Sequence, residues 1–145
     1  METLSIEEAR DWYQDADPVH DFDHVLRVYR IAERLAEAEG ADLEIVRAAA
    51  LLHDSQGSAP GVEGEARAEH HVASADFARQ ILTQKGWPEI KIKAVQHCIL
   101  AHRFRGDENA PETIEAQVLF DADKLDVLGA IGAARTIAYA ALDGQ

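Results

Sequence analysis

HDFDHVLRVYRIAERLAEAEG, residues 20–40, reads as a helix that carries a histidine on its inward face. Val28, Ile31 and Leu35 recur at i, i+3 and i+7, and His24 extends that stripe one turn backwards. Gly40 closes the segment and Asp42 is placed to cap the next one. In that second helix, over 43–54, Ile45, Ala49 and Leu52 face one way, and His53 lies four residues beyond Ala49. All seven histidines of the chain fall in HDFDHVLRV (20–28), LLHD (51–54), EHH (69–71) and HCILAH (97–102), and FDADKLD (120–126) adds a cluster of aspartates. Imidazoles and carboxylates that share a face with core residues are costly to bury unless something pairs with them, and a metal ion is the usual partner.

Helical periodicity continues outward from these two segments. SQGSAPGVEG at 55–64 is a glycine- and proline-rich loop directly after the His53-Asp54 pair. A third helix over 65–85 aligns His71 with Ala75, Ala78 and Leu82, and its neighbouring stripe carries His70, Ser74, Phe77 and Ile81. Gly86 stops it, and Pro88 suits the first turn of a fourth helix on which Val95, Cys98, Ile99 and His102 share a face. After the polar loop RGDENAP (105–111), a last helical region runs to about 142, with Gly129 and Gly132 as bends or close-packing points. The fold class is all-α, and residues 1–145 are expected to form one domain.

Composition narrows the function. Aromatic residues make up only 6% of the chain, which suits closely packed helices better than a β-sandwich. The net charge of −13 gives a solvated acidic surface that repels duplex nucleic acid, so a phosphorylated ligand would have to be small and meet a locally positive pocket. Cys98 is the only cysteine, which rules out an intrachain disulfide and a cysteine-built zinc site. With neither a signal peptide nor an apolar run near membrane-spanning length, the expected location is cytoplasmic, with no membrane partner. The alanine-rich 130–142 segment offers a face for a homodimer or for ordinary intrachain packing.

Two histidines and an aspartate beside flexible loops, followed by another inward aspartate, make a nitrogen and oxygen donor set. Such a set suits Mn²⁺, Fe²⁺, Ni²⁺, Co²⁺, Zn²⁺ or Mg²⁺. Adjacent helix residues project about 100° apart, so His53 and Asp54 can occupy neighbouring coordination positions. The order H…HD…D, with His24 followed by Arg27 and Val28, resembles the HD-domain superfamily of metal-dependent phosphohydrolases. FDADKLDVLGAIGAAR at 120–135 is similar to the signature of a subgroup of small bacterial HD hydrolases. The resemblance covers nearly the whole chain and implies a compact bundle of about five to six helices around one divalent cation. It implies His24, His53, Asp54 and one aspartate of the DAD segment as ligands.

Asp121 and Asp123 stand about 200° apart on a helix, so both cannot face one ion, and periodicity does not choose between them. The family pattern, including the Ala-Asp of alarmone hydrolases, matches Ala122-Asp123 and selects Asp123, leaving Asp121 a supporting or helix-pairing role. Arg27, at i+3 from His24, is a candidate phosphate clamp, or else pairs with Asp23 or Glu33. His20, at i−4 from His24, is a candidate to contact substrate or orient a ligand. Catalytic assistance is assigned to Asp54, to Lys124 beside Asp123, and to Asp126 as a proton-transfer group. His71 and His102 face inward by pattern, as contacts for substrate phosphate, as buried hydrogen-bonding groups or as ligands to a second ion, and His97 is the most dispensable histidine.

Two departures from the family pattern matter. Where many relatives carry an acidic general base soon after the HD pair, this chain has Ser55, Gln56 and Gly57, with Glu63 and Glu65 further along. Subgroup members also continue for several helices past the GAIG segment, so helices present in longer relatives are expected to be missing here. The leading expectation is a metal-dependent phosphohydrolase of a small phosphate ester or anhydride, above all a nucleotide. The alternatives are a nucleotide- and metal-binding sensor without strong turnover, and a di-iron oxygenase, which would need both His71 and His102 as ligands.

Overall fold

The structure, a computed structural model, describes residues 1–13, 22–56, 70–104 and 110–129. Among these residues there are six α-helices and one 3-10 turn, and no strand. The helices are α1 (Ile6–Arg10), α2 (Phe22–Glu39), α3 (Leu43–Leu52), α4 (His70–Gln84), α5 (Glu89–Ala101) and α6 (Ile114–Leu128); the 3-10 turn, Asp11–Tyr13, follows α1. The all-α expectation is met, and α1 with its 3-10 turn adds structure that no periodic stripe announced. No helix among the described residues is long and apolar enough to cross a membrane.

Boundaries follow local chemistry. Asp42 is extended and its side chain accepts from the Glu44 and Ile45 amides, capping α3 as expected. Ser5 and Thr113 cap α1 and α6 in the same way. Gly40 and Gly86, with φ of +74° and +77°, end α2 and α4 in the left-handed conformation that glycine adopts without steric cost. Pro88 sits one position earlier than expected, as the extended residue before Glu89 rather than inside the first turn. At Gly129 α6 stops rather than bends, and the continuation expected to about 142 lies outside the described residues.

The centre of the bundle is α3, LEIVRAAALL, which packs against α2, α4, α5 and α6. Seven of its ten residues are buried, and a helix that is apolar nearly all round has no stable place except a core. Ala48, Ala49 and Ala50 keep it thin enough for neighbours to approach on several sides. The inward stripe of α2 differs from the one read from sequence: Val25, Val28, Ala32 and Ala36 are fully buried, while Ile31 and Leu35 are half-buried at its flank. Small side chains win the central positions because α2 lies close to both α3 and α6.

A second, smaller core of Ala9, Tyr13, Phe22, Val25 and Leu51 fastens the N-terminal segment under the start of α2 and the end of α3. There the Tyr13 hydroxyl donates to the Leu51 carbonyl at 2.7 Å. The main core tolerates truncation poorly: Leu82→Ala, at a fully buried α4 position, is expected to lower unfolding free energy by about 2–5 kcal/mol in urea titrations.

Candidate metal centre

Three helices deliver the donors. His24 comes from the first turn of α2, His53 caps the C-terminus of α3 with Asp54 directly after it, and Asp123 lies in the second half of α6. Donor atoms of these four residues all lie within 4.8 Å of one another. His24 Nε2 is 3.2 Å from Asp123 Oδ1 and 3.7 Å from Asp54 Oδ2. His53 Nε2 is 3.3 Å from Asp54 Oδ2 and 3.7 Å from Asp123 Oδ1.

The tautomers follow from the groups behind the rings. His53 Nδ1 lies 2.7 Å from the Ala50 carbonyl oxygen, which can only accept, so Nδ1 carries the proton and a neutral ring turns a lone pair inward at Nε2. That Nε2 is buried and has no hydrogen-bond partner. His24 Nδ1 lies 2.7 Å from Asp126 Oδ2, which again leaves Nε2 facing the carboxylates. Lone pairs opposed to carboxylate oxygens in a buried site call for a proton or a metal cation between them. The C-terminus of α3, the negative pole of the helix, also favours a cation. The donor set therefore fits a divalent metal.

Without the metal, protons take that role. Burial alone would push the His24 and His53 imidazoles down, but neighbouring carboxylates overcome it and raise both above the ordinary histidine value, His53 strongly. Burial would raise Asp54, yet His53 and His102 hold it well below the usual carboxylate range. Asp123 is lowered in the same way by His24 and His53. Asp126, against the effect of burial, is drawn down to about 2 by hydrogen bonds from His24 and Arg27.

The remaining candidates separate. His102 is buried at the end of α5, its Nδ1 against the Ile99 carbonyl and its Nε2 3.4 Å from Asp54 Oδ1, the oxygen turned away from His24 and His53. Its ring meets His53 edge-on at 5.0 Å. His71 opens α4 half-buried and is not in the converging group, and neither is His102. Asp121 is exposed and shares a surface groove with Leu35, Glu39 and Gln117, away from the cluster that Asp123 joins. Lys124 is exposed with its ammonium over the Phe120 ring, 4.7 Å from the centroid. His97 Nε2 accepts from the Glu112 amide at 3.0 Å and so anchors the approach to α6. His20 lies outside the described residues, as do Gly57, Glu63 and Glu65.

Arg27 pairs with neither Asp23 nor Glu33: its Nε donates to Asp126 Oδ1 at 2.7 Å, and Glu33 binds Arg47 instead. Asp126, expected to move protons, stands behind His24 on the side away from the other donors. No local sequence signal could reveal this pair, because the partners are about a hundred residues apart and each is common on helix surfaces. Tyr13 was likewise missed, since its hydroxyl serves a single carbonyl across the small core. Ser55, directly after the pair, is buried, and the Gln56 amide donates to Ser74 Oγ at 3.1 Å, tying the residues that follow the His53-Asp54 pair to α4.

A family model for the HD domain matches residues 21–128. The uncharacterized protein YpgQ of Bacillus subtilis is 32% identical over 99% of this chain and 70% of its own length. Ribonuclease Y of Cutibacterium acnes is 38% identical over 71% of this chain but only 17% of that enzyme. Among solved structures, a predicted HD superfamily hydrolase from an uncultured Thermotogales bacterium superposes with a TM-score of 0.75 at 31% identity, covering 92% of this chain and 72% of that one. Bacillus subtilis YpgQ in complex with ADP superposes with a TM-score of 0.70 at 32% identity, covering 97% of this chain and 70% of that one. With most of its length matched and the order H…HD…D folded into one cluster, this chain belongs to the HD domain family of the HD superfamily hydrolases.

Proposed function

We propose that this chain is a divalent-metal-dependent phosphohydrolase acting on a small phosphate ester or anhydride, with nucleotides as its substrate class. The observation that carries the proposal is the buried, unpartnered Nε2 of His53, aimed among donors of His24, Asp54 and Asp123. The ADP complex of YpgQ supports the nucleotide. In this reading His24, His53, Asp54 and Asp123 hold the cation. When bound, the cation supplies Lewis acidity toward a phosphoryl oxygen and makes water a better nucleophile near neutral pH.

The protein's own groups complete the site. The Ala50 carbonyl and Asp126 keep the His53 and His24 protons on Nδ1, so both rings present lone pairs. Asp54 anchors the ligand set with one oxygen, and its other oxygen faces His102. Arg27, about one-quarter exposed, supplies positive charge for phosphate beside an otherwise acidic cluster, with His102 and His71 as further contacts for substrate. His20 contacts substrate, and Lys124 assists catalysis with its positive charge beside Asp123. A second ion, if bound, would use the Asp54 oxygen that faces His102.

A sensor that binds nucleotide without turnover is the second reading, favoured by Ser55 and Gln56 standing where relatives carry an acid. Purified protein assayed on nucleoside di- and triphosphates with Mn²⁺, Ni²⁺, Co²⁺ and Mg²⁺ should release phosphate or pyrophosphate. Asp54→Ala should reduce this by more than the roughly 10–100-fold typical of a lost supporting group, while His97→Ala should leave it intact. Tight nucleotide binding without turnover under every metal would decide for the sensor.

A pH dependence follows from the raised histidines and lowered aspartates. The histidine contribution to metal-free stability is present below about pH 6.5 and is lost as pH rises through the raised folded values. The aspartate contribution is present above about pH 3.9 and is lost as pH falls through the lowered folded values. Metal must displace the imidazole protons, so the rise in melting temperature on adding Mn²⁺ should be small in mildly acidic buffer and grow with pH. Thermal-shift titrations across that range check it; a Mn²⁺ shift independent of pH would contradict the assignment of histidine ligands.

A further inference from the structure

His24 and Arg27 stand one turn apart on α2, and Asp123 and Asp126 one turn apart on α6, so an HxxR face meets a DxxD face. The closest contacts between the faces are His24 Nε2 to Asp123 Oδ1 at 3.2 Å, His24 Nδ1 to Asp126 Oδ2 at 2.7 Å, and Arg27 Nε to Asp126 Oδ1 at 2.7 Å. Arg27 also reaches Asp126 Oδ2 through one terminal nitrogen at 3.4 Å. Asp126 is only 5% exposed, and a carboxylate this buried is stable only when charged donors occupy its oxygens.

We propose that Asp126 is a positioning residue that joins His24 and Arg27 into one unit, so that cation affinity and anion affinity at this site are set by the same carboxylate. This rests on the metal-site reading above. One Asp126 oxygen accepts a hydrogen bond from the His24 Nδ1–H, which fixes both the tautomer and the rotation of the ring. The other oxygen takes Nε of Arg27, and one terminal nitrogen reaches the first oxygen at 3.4 Å; this orients the planar guanidinium and leaves its other N–H groups available to a ligand. A guanidinium held this way keeps donors for a phosphate without rotamer search, and its charge offsets part of the negative charge that Asp54, Asp123 and Asp126 bring together. Removing Arg27 would take a charged donor from Asp126 and loosen its hold on His24. Metal binding is therefore expected to respond to Arg27, a residue outside the converging donors.

Two measurements test the proposal. In metal-free protein, nitrogen NMR of the histidine side chains in alkaline buffer should find His24 with its proton on Nδ1, and Asp126→Ala should shift it toward the Nε2–H tautomer. This arm needs no metal, so it stands apart from the proposed function, which fails separately if the wild-type chain binds no divalent cation. Calorimetric titration with Mn²⁺ should show Asp126→Ala weakening binding by about 10–100-fold, with Asp126→Asn, whose amide oxygen still accepts from Nδ1, recovering part of it. Arg27→Gln should weaken Mn²⁺ binding several-fold on its own, and its effect should shrink once Asp126 is replaced, since residues in one network are not additive. If Asp126→Ala does not fold, Asp126→Asn and Arg27→Gln carry both readouts. Folded variants with Mn²⁺ affinity within about two-fold of wild type, together with an unchanged His24 tautomer, would overturn the proposal.

Discussion

Buried lone pairs facing buried carboxylates are the constraint around which this fold is arranged. His24 and His53 each donate a hydrogen bond from Nδ1 to an acceptor behind the ring, and both turn Nε2 toward Asp54 and Asp123. Such a cluster is unfavourable in a low-dielectric interior unless positive charge enters it. Protons can supply that charge, which is why the imidazoles are raised and the aspartates lowered. A divalent cation supplies more of it at one point, and it does so beside the negative end of α3, where nearby carbonyls are already partly engaged by Tyr13 and His53.

The surrounding helices fix the donors. Because α3 is buried on nearly all sides, its C-terminus cannot shift without disturbing the packing of α2, α5 and α6. The N-terminal segment braces the same end from beneath, through Tyr13 and the Phe22 ring it packs against. His102 caps α5 against the opposite oxygen of Asp54, so two helix C-termini approach one carboxylate. Rigid elements, rather than loops, therefore carry every donor except Asp54, and Asp54 is a single residue past a helix end.

Much of this was legible in the sequence because burial leaves a periodic trace. His24, His53 and His102 share faces with core residues, and that coincidence marked them before any fold was known. Periodicity failed where two faces of one helix are both acceptable. Asp121 and Asp123 each align with apolar neighbours, and only the side from which α2 and α3 approach α6 separates them. It failed again on α2, where large residues at 31 and 35 looked like the core and alanines at 32 and 36 occupy it, because close helix approach rewards small volume over hydrophobicity. The bond from Asp126 to Arg27 spans 99 positions and leaves no local pattern at all.

The separation of the donors along the chain has a consequence for chain entropy. With one cysteine, this protein has no disulfide to restrain its unfolded state. A cation shared by residues 24, 53, 54 and 123 closes a short loop and a long one together, a reversible cross-link whose entropic leverage grows only slowly with loop length. Because the unfolded chain does not hold these donors together, bound metal adds to stability by mass action. The same ion proposed to poise a phosphate for attack would thus also serve as a staple, and the durability of the folded chain would then vary with the free metal around it.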